Sequence, residues 1–381
     1  MRTHKIKKIT RSAIFTIIFL RPCFCAMAES VPDTGQTKCY NDSVEITCPE
    51  PGEDFYGQDA QYLLNPPSFT KLDAQANDLP STANSWVMVR DNVTGLVWEN
   101  KQDMDGYISS YSNTHDADNS YTWYDSNPDT NGGDAGTPGD GRDTEDFINA
   151  LNSQNFGGFS DWRLPTTEEL LSIVDYERHD PSIDTYYFPN TKLYYYWSST
   201  TNVRFETHAW IVNFEDGKDY FHNKAISRYV RAVRGGQSEK TYVDNGDGTV
   251  TDLSSGLVWQ QATTRQMDWK SALKYCERLT LGGCSNWRLP NIKELASIVD
   301  LSQSGPSIDT TYFPDTMGYQ YWSSTTSVVN AGNVNYIDFN NGYIDSILKS
   351  YSFIFVRAVR EGQCVEYKNK NMPWLNILLD D

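Results

Sequence analysis

Residues 157–201 and 282–326 align without a gap at an offset of 125, and 29 of the 45 aligned positions are identical. The shared marks keep their order. Gly157-Gly158 returns as Gly282-Gly283, Trp162-Arg-Leu-Pro165 as Trp287-Arg-Leu-Pro290, and Ser172-Ile-Val-Asp175 as Ser297-Ile-Val-Asp300. Pro181-Ser-Ile-Asp-Thr185 matches Pro306-Ser-Ile-Asp-Thr310, and Tyr196-Trp-Ser-Ser-Thr-Thr201 matches Tyr321-Trp-Ser-Ser-Thr-Thr326. Outside this block, Gly95-Leu-Val-Trp98 recurs as Gly256-Leu-Val-Trp259 and Val230-Arg-Ala-Val-Arg234 as Val356-Arg-Ala-Val-Arg360. A period near 125 residues is the length of a domain, far beyond a solenoid unit. The chain therefore holds one domain twice, and 381 residues leave each copy long enough to bury a core.

The copies are unequal. From Trp98 to Trp162 the spacing is 64 residues, whereas from Trp259 to Trp287 it is 28. The extra 36 fall mainly between Asp103 and Asp143, a stretch rich in Asp, Asn, Gly and Ser that reads as a long surface loop. The expected layout is a segment 29–80 with two cysteines, a first domain at 81–236, a second at 240–364 and a tail at 365–381. In copy two, Asp268 caps a helix with Trp269, Ala272, Leu273 and Cys276 on one face, and Phe147, Ala150 and Leu151 mark the same helix in copy one. Thr166 with Glu169, and Asn291 with Glu294, are capping boxes for a second helix whose Ile173 and Val174 (copy one) face the core. Strand-like runs follow at 194–201, 210–214, 229–233 and 337–339, with turns at Asp216-Gly217 and Asn341-Gly342. Helices first and antiparallel strands afterwards predict an α+β class, each domain having two helices and an antiparallel sheet.

Residues 1–28 carry six Lys and Arg and no acidic residue, then a short apolar run 13–20, then Ala26-Met27-Ala28. This is the order of a secretory signal peptide, and the run is too short to span a bilayer. Its removal deepens the formal charge from −18 to −24. Such acidity excludes a general nucleic-acid binder, which needs a Lys and Arg excess. The expected location is outside the cytoplasm: periplasm, cell surface or medium. Cys39, Cys48, Cys276, Cys284 and Cys364 remain as structural staples. Cys39–Cys48 and Cys276–Cys284 are local candidates, with Cys364 either spare or paired to Cys276 or Cys284.

Catalytic signatures are absent: HExxH, GxSxG, a Walker loop and GxGxxG do not occur, and the four mature histidines have no counterparts in copy two. The expectation is no enzyme and no cofactor. Trp98, Trp162, Trp197, Trp259, Trp287 and Trp322 sit at repeated positions amid apolar neighbours and read as core rather than sugar platforms. Arg163 and Arg288 read as structural, pairing with Asp175 or Asp184 and with Asp300 or Asp309. The ligand candidates are loop aromatics found in one copy, Tyr121, Trp123 and Tyr124. Asp103, Asp105, Asp116 and Asp118 in the long loop, and Asp244, Asp247 and Asp252 around a Gly-rich turn, read first as solvated turns and second as oxygen ligands for calcium. Hard cations take six to eight oxygens.

The ordered marks Thr94-Gly-Leu-Val-Trp98, Asp161-Trp-Arg-Leu-Pro165, Glu169-Leu170, Ser172-Ile-Val-Asp175, Tyr187-Phe-Pro189, Trp197-Ser-Ser-Thr200 and Val230-Arg-Ala-Val-Arg234, present in duplicate, resemble the bacterial Lcl C-terminal domain family, formerly DUF1566. The resemblance covers about seven tenths of the chain. It implies a C-type lectin-like fold and an adhesion or carbohydrate-binding role at the cell envelope, since the family is named for a collagen-like adhesin associated with sulfated glycans. This chain lacks a Gly-X-Y stalk, and its acidity suits sulfated polymers poorly. The enzyme among the fold relatives, the formylglycine-generating type, uses a reactive cysteine pair that the first domain lacks. The expectation is an exported binding protein for a glycan or surface partner. A structural envelope protein without a small ligand comes second and an enzyme third.

Overall fold

The computed structural model describes residues 30–102, 105–106, 109–133, 136–236 and 240–362. The signal segment, the tail, Asp103 and Cys364 lie outside the described residues.

Ahead of the repeat, β1 (Cys39–Tyr40) and β2 (Glu45–Ile46) form a small hairpin closed by the Cys39–Cys48 disulfide. Copy one then runs β3 (Phe69–Leu72), β4 (Met88–Asp91), β5 (Val97–Glu99), α1 (Thr144–Ser153), α2 (Thr167–Ser172), β6 (Tyr195–Thr201), β7 (His208–Asn213), β8 (Asp219–Asn223) and β9 (Val233–Arg234). Copy two repeats the order with β10 (Tyr242–Asp244), β11 (Thr249–Asp252), β12 (Leu257–Gln260), α3 (Trp269–Arg278), α4 (Ile292–Ser297), β13 (Gln320–Thr326), β14 (Asn333–Asp338), β15 (Tyr343–Leu348) and β16 (Val359–Glu361).

Each copy holds two antiparallel sheets where the sequence predicted one. Four strands run in the order β3-β4-β5-β9 and three in the order β6-β7-β8, with β10-β11-β12-β16 and β13-β14-β15 as their counterparts. Strands also precede the helices, contrary to the helices-first reading. The Gly-Leu-Val-Trp strand pairs with the Val-Arg-Ala-Val-Arg strand, Trp98 opposite Val233 and Trp259 opposite Val359. A pairing that long-range leaves no local signal.

Asp268 caps α3 as expected, accepting from Ser271 N, and Asp143, which the sequence reading did not name, does the same for Asp146 N at α1. Both capping boxes close, Thr166 with Glu169 and Asn291 with Glu294.

The copies pack through equivalent elements, α2 on α4 and β8 beside β15. Asp219 Oδ1 accepts from Ile344 N at 2.6 Å, and these two residues are 125 apart. A position touching its own counterpart marks a pseudo-twofold axis, the isologous geometry of a homodimer drawn into one chain. One continuous apolar core crosses the junction, from Leu171, Ile173 and Val174 to Leu295, Ile298 and Val299. The segment before copy one straps both halves. Gln36 exchanges hydrogen bonds with Thr326 (Nε2 to O 2.9 Å, N to Oε1 3.0 Å) and donates to Tyr176 O at 3.4 Å. Behind it, buried Asp59 accepts from Thr34 Oγ1 at 2.8 Å and from Thr325 Oγ1.

Cys276 is a buried free thiol, so the Cys276–Cys284 staple is not formed. Cys284 is disulfide-bonded. Cys276 is on the helix face turned into the second core, and burial pushes its thiol far up, keeping it protonated and inert. No helix among the described residues is long and apolar enough to cross a membrane.

Candidate functional site

The aromatics taken from the sequence as single-copy loop residues occupy repeated positions. Trp197 Nε1 donates to Tyr121 O at 2.9 Å, and its counterpart Trp322 donates to Met267 O at 2.9 Å. Trp123 Nε1 donates to Ser198 O at 2.8 Å, as Trp269 does to Ser323 O at 2.9 Å. A lysine lies over each indole, Lys224 over Trp123 and Lys349 over Trp269, both at 4.4 Å. Trp123 is therefore the counterpart of Trp269, cut off from its helix by the insertion that ends at Asp143. Tyr121 is buried in the first core and Trp123 packs against it. Tyr124 is half-buried, its backbone N–H donating to Thr144 Oγ1 at 2.9 Å. The long gap hid this correspondence.

The six repeated tryptophans are buried. Arg163 and Arg288 pair with the glutamates of their own capping boxes, not with the aspartates expected. Arg163 grips Glu169 at 2.6 and 2.7 Å; Arg288 grips Glu294 at 2.6 Å through both nitrogens and adds Glu361. The helix start brings that glutamate back over the preceding Arg-Leu-Pro, which a spacing of six residues does not reveal.

The predicted metal carboxylates are dispersed and occupied. Asp116 accepts from Ser110 N and Asp118 N, while Asp118 accepts from Asp105 N and pairs with Lys192. Asp244 and Asp247 close the Gly-rich turn by accepting from Gly246 N and Thr249 N; Asp252 accepts from Ser254 N and Ser255 Oγ. No three of these carboxylates converge among the described residues. Among the described residues the convergent set is Asp140, Asp143 and Asp146.

A cavity of about 500 Å³ opens between the copies, lined by Thr94, Leu96, Glu168, Asp252, Ser255 and Lys293 among others. Its polar groups are largely committed. Thr94 bonds Asp91, Ser255 bonds Asp252, Lys240 pairs with Glu168 at 2.7 Å, and Lys293 Nζ donates to the carbonyls of Ser172 and Asp33. Burial lowers Lys293 to about 8 although several aspartates oppose it. The cavity offers shape and few open hydrogen-bonding groups.

A different face is open. Tyr194 and Tyr195 at the start of β6 meet at 4.6 Å, edge to face, and Tyr195 lies 6.0 Å from Tyr220 and 6.4 Å from His222 on β8. The Arg228 guanidinium stands 5.4 Å from the Tyr194 ring and 5.5 Å from Tyr195, with Nη2 3.1 Å from His222 Nδ1. Burial, then the charge of Arg228, lowers the pKa of His222, leaving a neutral imidazole to accept. Arg228 has no carboxylate partner among the described residues, although the chain is strongly acidic. Tyr194 is 45% exposed and Tyr220 36%. Copy two keeps Tyr319 at the position of Tyr194 but places Gln320, Asp345, Ile347 and Ile354 at those of Tyr195, Tyr220, His222 and Arg228, so the arginine-centred rim belongs to copy one alone. The sequence signal was available: aromatics differing between copies on strands, spread over β6, β8 and the approach to β9.

A family model described as the Lcl C-terminal domain matches residues 87–234 and again residues 248–360. No curated protein matches the chain.

Proposed function

The chain belongs to the Lcl C-terminal domain family, whose domain it carries twice, and from that premise we propose that it is an exported, C-type lectin-like binding protein recognising a glycan through the aromatic rim of copy one. The observation that carries this reading is the grouping of exposed Tyr194 and Tyr220 and half-buried Tyr195 around Arg228 and His222, of which copy two keeps only the counterpart of Tyr194. Aromatic faces stack on apolar sugar faces while guanidinium and imidazole donate to hydroxyls or a carboxylate. The thiol of Cys276 is buried in the second core and half-buried His115 is tied to Glu99, which favours binding over catalysis.

A glycan array with the purified protein tests it. Tyr194→Ala with Tyr220→Ala should weaken the leading glycan about tenfold, the equivalent of ~1.4 kcal/mol, with no change in melting temperature. Equal binding by the double variant removes the rim from the reading. Absence of any glycan hit, with self-association on sizing, favours a structural envelope role.

A further inference from the structure

Asp140, Asp143 and Asp146 stand at the start of α1, where the insertion unique to copy one rejoins the helix. One carboxylate oxygen from each lies within 4.8 Å of the others. Their remaining contacts are all to backbone amides. Asp143 Oδ1 accepts from Asp146 N at 2.9 Å, Asp140 Oδ1 from Arg142 N at 2.8 Å, and Asp146 from Gly139 N at 2.7 Å and Gly141 N at 2.8 Å. The decisive atom is Asp143 Oδ2. Asp143 is fully buried, and this oxygen has no hydrogen-bond partner. A carboxylate oxygen withdrawn from water and left unbonded is costly, by the logic of any unsatisfied buried acceptor. Gly136 closes over it so tightly that a Cβ there would stand 2.4 Å away.

Charge points the same way. No Lys, Arg or His pairs with these three carboxylates among the described residues, and Glu145 adds a fourth acid next door. The nearest base in sequence, Arg142, is turned onto the Tyr111 ring at 3.8 Å. The α1 dipole places about half a positive charge here, too little to balance three carboxylates. Burial and then the charges of Asp146 and Asp140 raise the Asp143 pKa, with backbone N–H groups opposing.

We infer that Asp140, Asp143 and Asp146 form a calcium site that pins the copy-one insertion to the head of α1. Three carboxylates of a hard-oxygen set suit Ca²⁺, with water completing six to eight ligands. With only three protein carboxylates the site has the weak affinity of extracellular modules, about 0.1–1 mM. The inference is independent of glycan binding.

The test uses the whole protein, stripped with EDTA and titrated with CaCl₂ by calorimetry and thermal melting. The expected result is one binding event and a melting rise of about 4 °C at 10 mM CaCl₂, both lost in Asp143→Asn. Asp140→Asn keeps the oxygen that accepts from Arg142 N and cannot disturb the helix cap, so it should fold normally and still bind at least tenfold more weakly. No heat and no shift in the unmodified protein overturns the site. A full calcium shift retained in Asp140→Asn also overturns it.

Discussion

The two copies bury the same guanidinium among different neighbours. Arg231 and Arg357 occupy the same place in the Val-Arg-Ala-Val-Arg strand, each fully buried over a phenylalanine, Phe188 at 5.0 Å and Phe313 at 4.7 Å. Beneath Arg231 lies an ionic knot, in which Glu99 pairs with Lys101 at 3.1 Å and His115 at 2.9 Å. Burial pushes Glu99 up, yet the Lys101 ammonium and the hydrogen bond with His115 outweigh it and hold the carboxyl at about 2. Beneath Arg357 the same positions are Gln260 and Ala262, and the guanidinium is held by the carbonyls of Gln260 and Gln261 and the hydroxyls of Thr263 and Thr316. Burial lowers Arg357 to about 10. Arg231 is held in the same manner, by Glu99 O at 2.9 Å and Thr191 Oγ1 at 2.8 Å, so both guanidiniums are matched by carbonyl and hydroxyl oxygens and the copies differ in whether a carboxylate lies nearby.

This comparison can be broken or sharpened by substitution. The largest expected effect is at the repeated arginine of the capping box. Arg288→Ala leaves Glu294 buried without its partner and should cost about 3–5 kcal/mol in urea unfolding. Arg163→Ala, whose pair is partly solvated, should cost roughly 1–2 kcal/mol. Equal losses would mean that burial does not distinguish the two pairs. Next comes Glu99→Gln, which strands Lys101 and should cost ~3 kcal/mol. The reciprocal Gln260→Glu places a carboxylate near Arg357 and should cost less than half as much. If the two cost the same, the charge under Arg231 is irrelevant to its accommodation.

The smallest effect is at the pseudo-twofold axis, where Asp219 faces the backbone of its apolar counterpart, Ile344. Burial raises Asp219 to about 7, against the hydrogen bond from Ile344 N. A carboxyl whose folded pKa lies above its unfolded value contributes stability that is complete below about pH 4 and lost as pH rises through about 7. The melting temperature should fall by about 2–4 °C between pH 5 and pH 8. Asp219→Asn should remove part of that slope, and buried Asp59, raised to about 7 in the same sense, accounts for a further part. An unchanged slope in Asp219→Asn would locate the titration elsewhere.

Local signals were readable and distant ones were not. Asp268, Thr166 with Glu169, and Asn291 with Glu294 announce helix starts because a cap and its amide lie within three residues. The duplication, the apolar helix faces and the Cys39–Cys48 link were equally plain. The β5–β9 pairing was not, because more than a hundred residues intervene and each strand alone is only a short apolar run. The identity of Trp123 with Trp269 was lost for a related reason: an insertion separates the indole from its helix, so alignment by spacing fails where alignment by contact succeeds. The candidate rim escaped because Tyr195, Tyr220, His222 and Arg228 become neighbours only when β6 and β8 flank β7.

The strap at Gln36 has a consequence in time. Its partner Thr326 is 290 residues later, and at 5–20 residues per second a ribosome needs roughly 15–60 s to cover that distance. For the last 90 residues of that stretch, from 236 to 326, copy one is complete while its Leu171, Ile173 and Val174 face waits for Leu295 and Ile298, a nascent half-dimer with a sticky side. Asp59 likewise waits for Thr325. The residues made among the first are among the last to be fastened, and any holding factor that shields the chain during synthesis has that one face to cover.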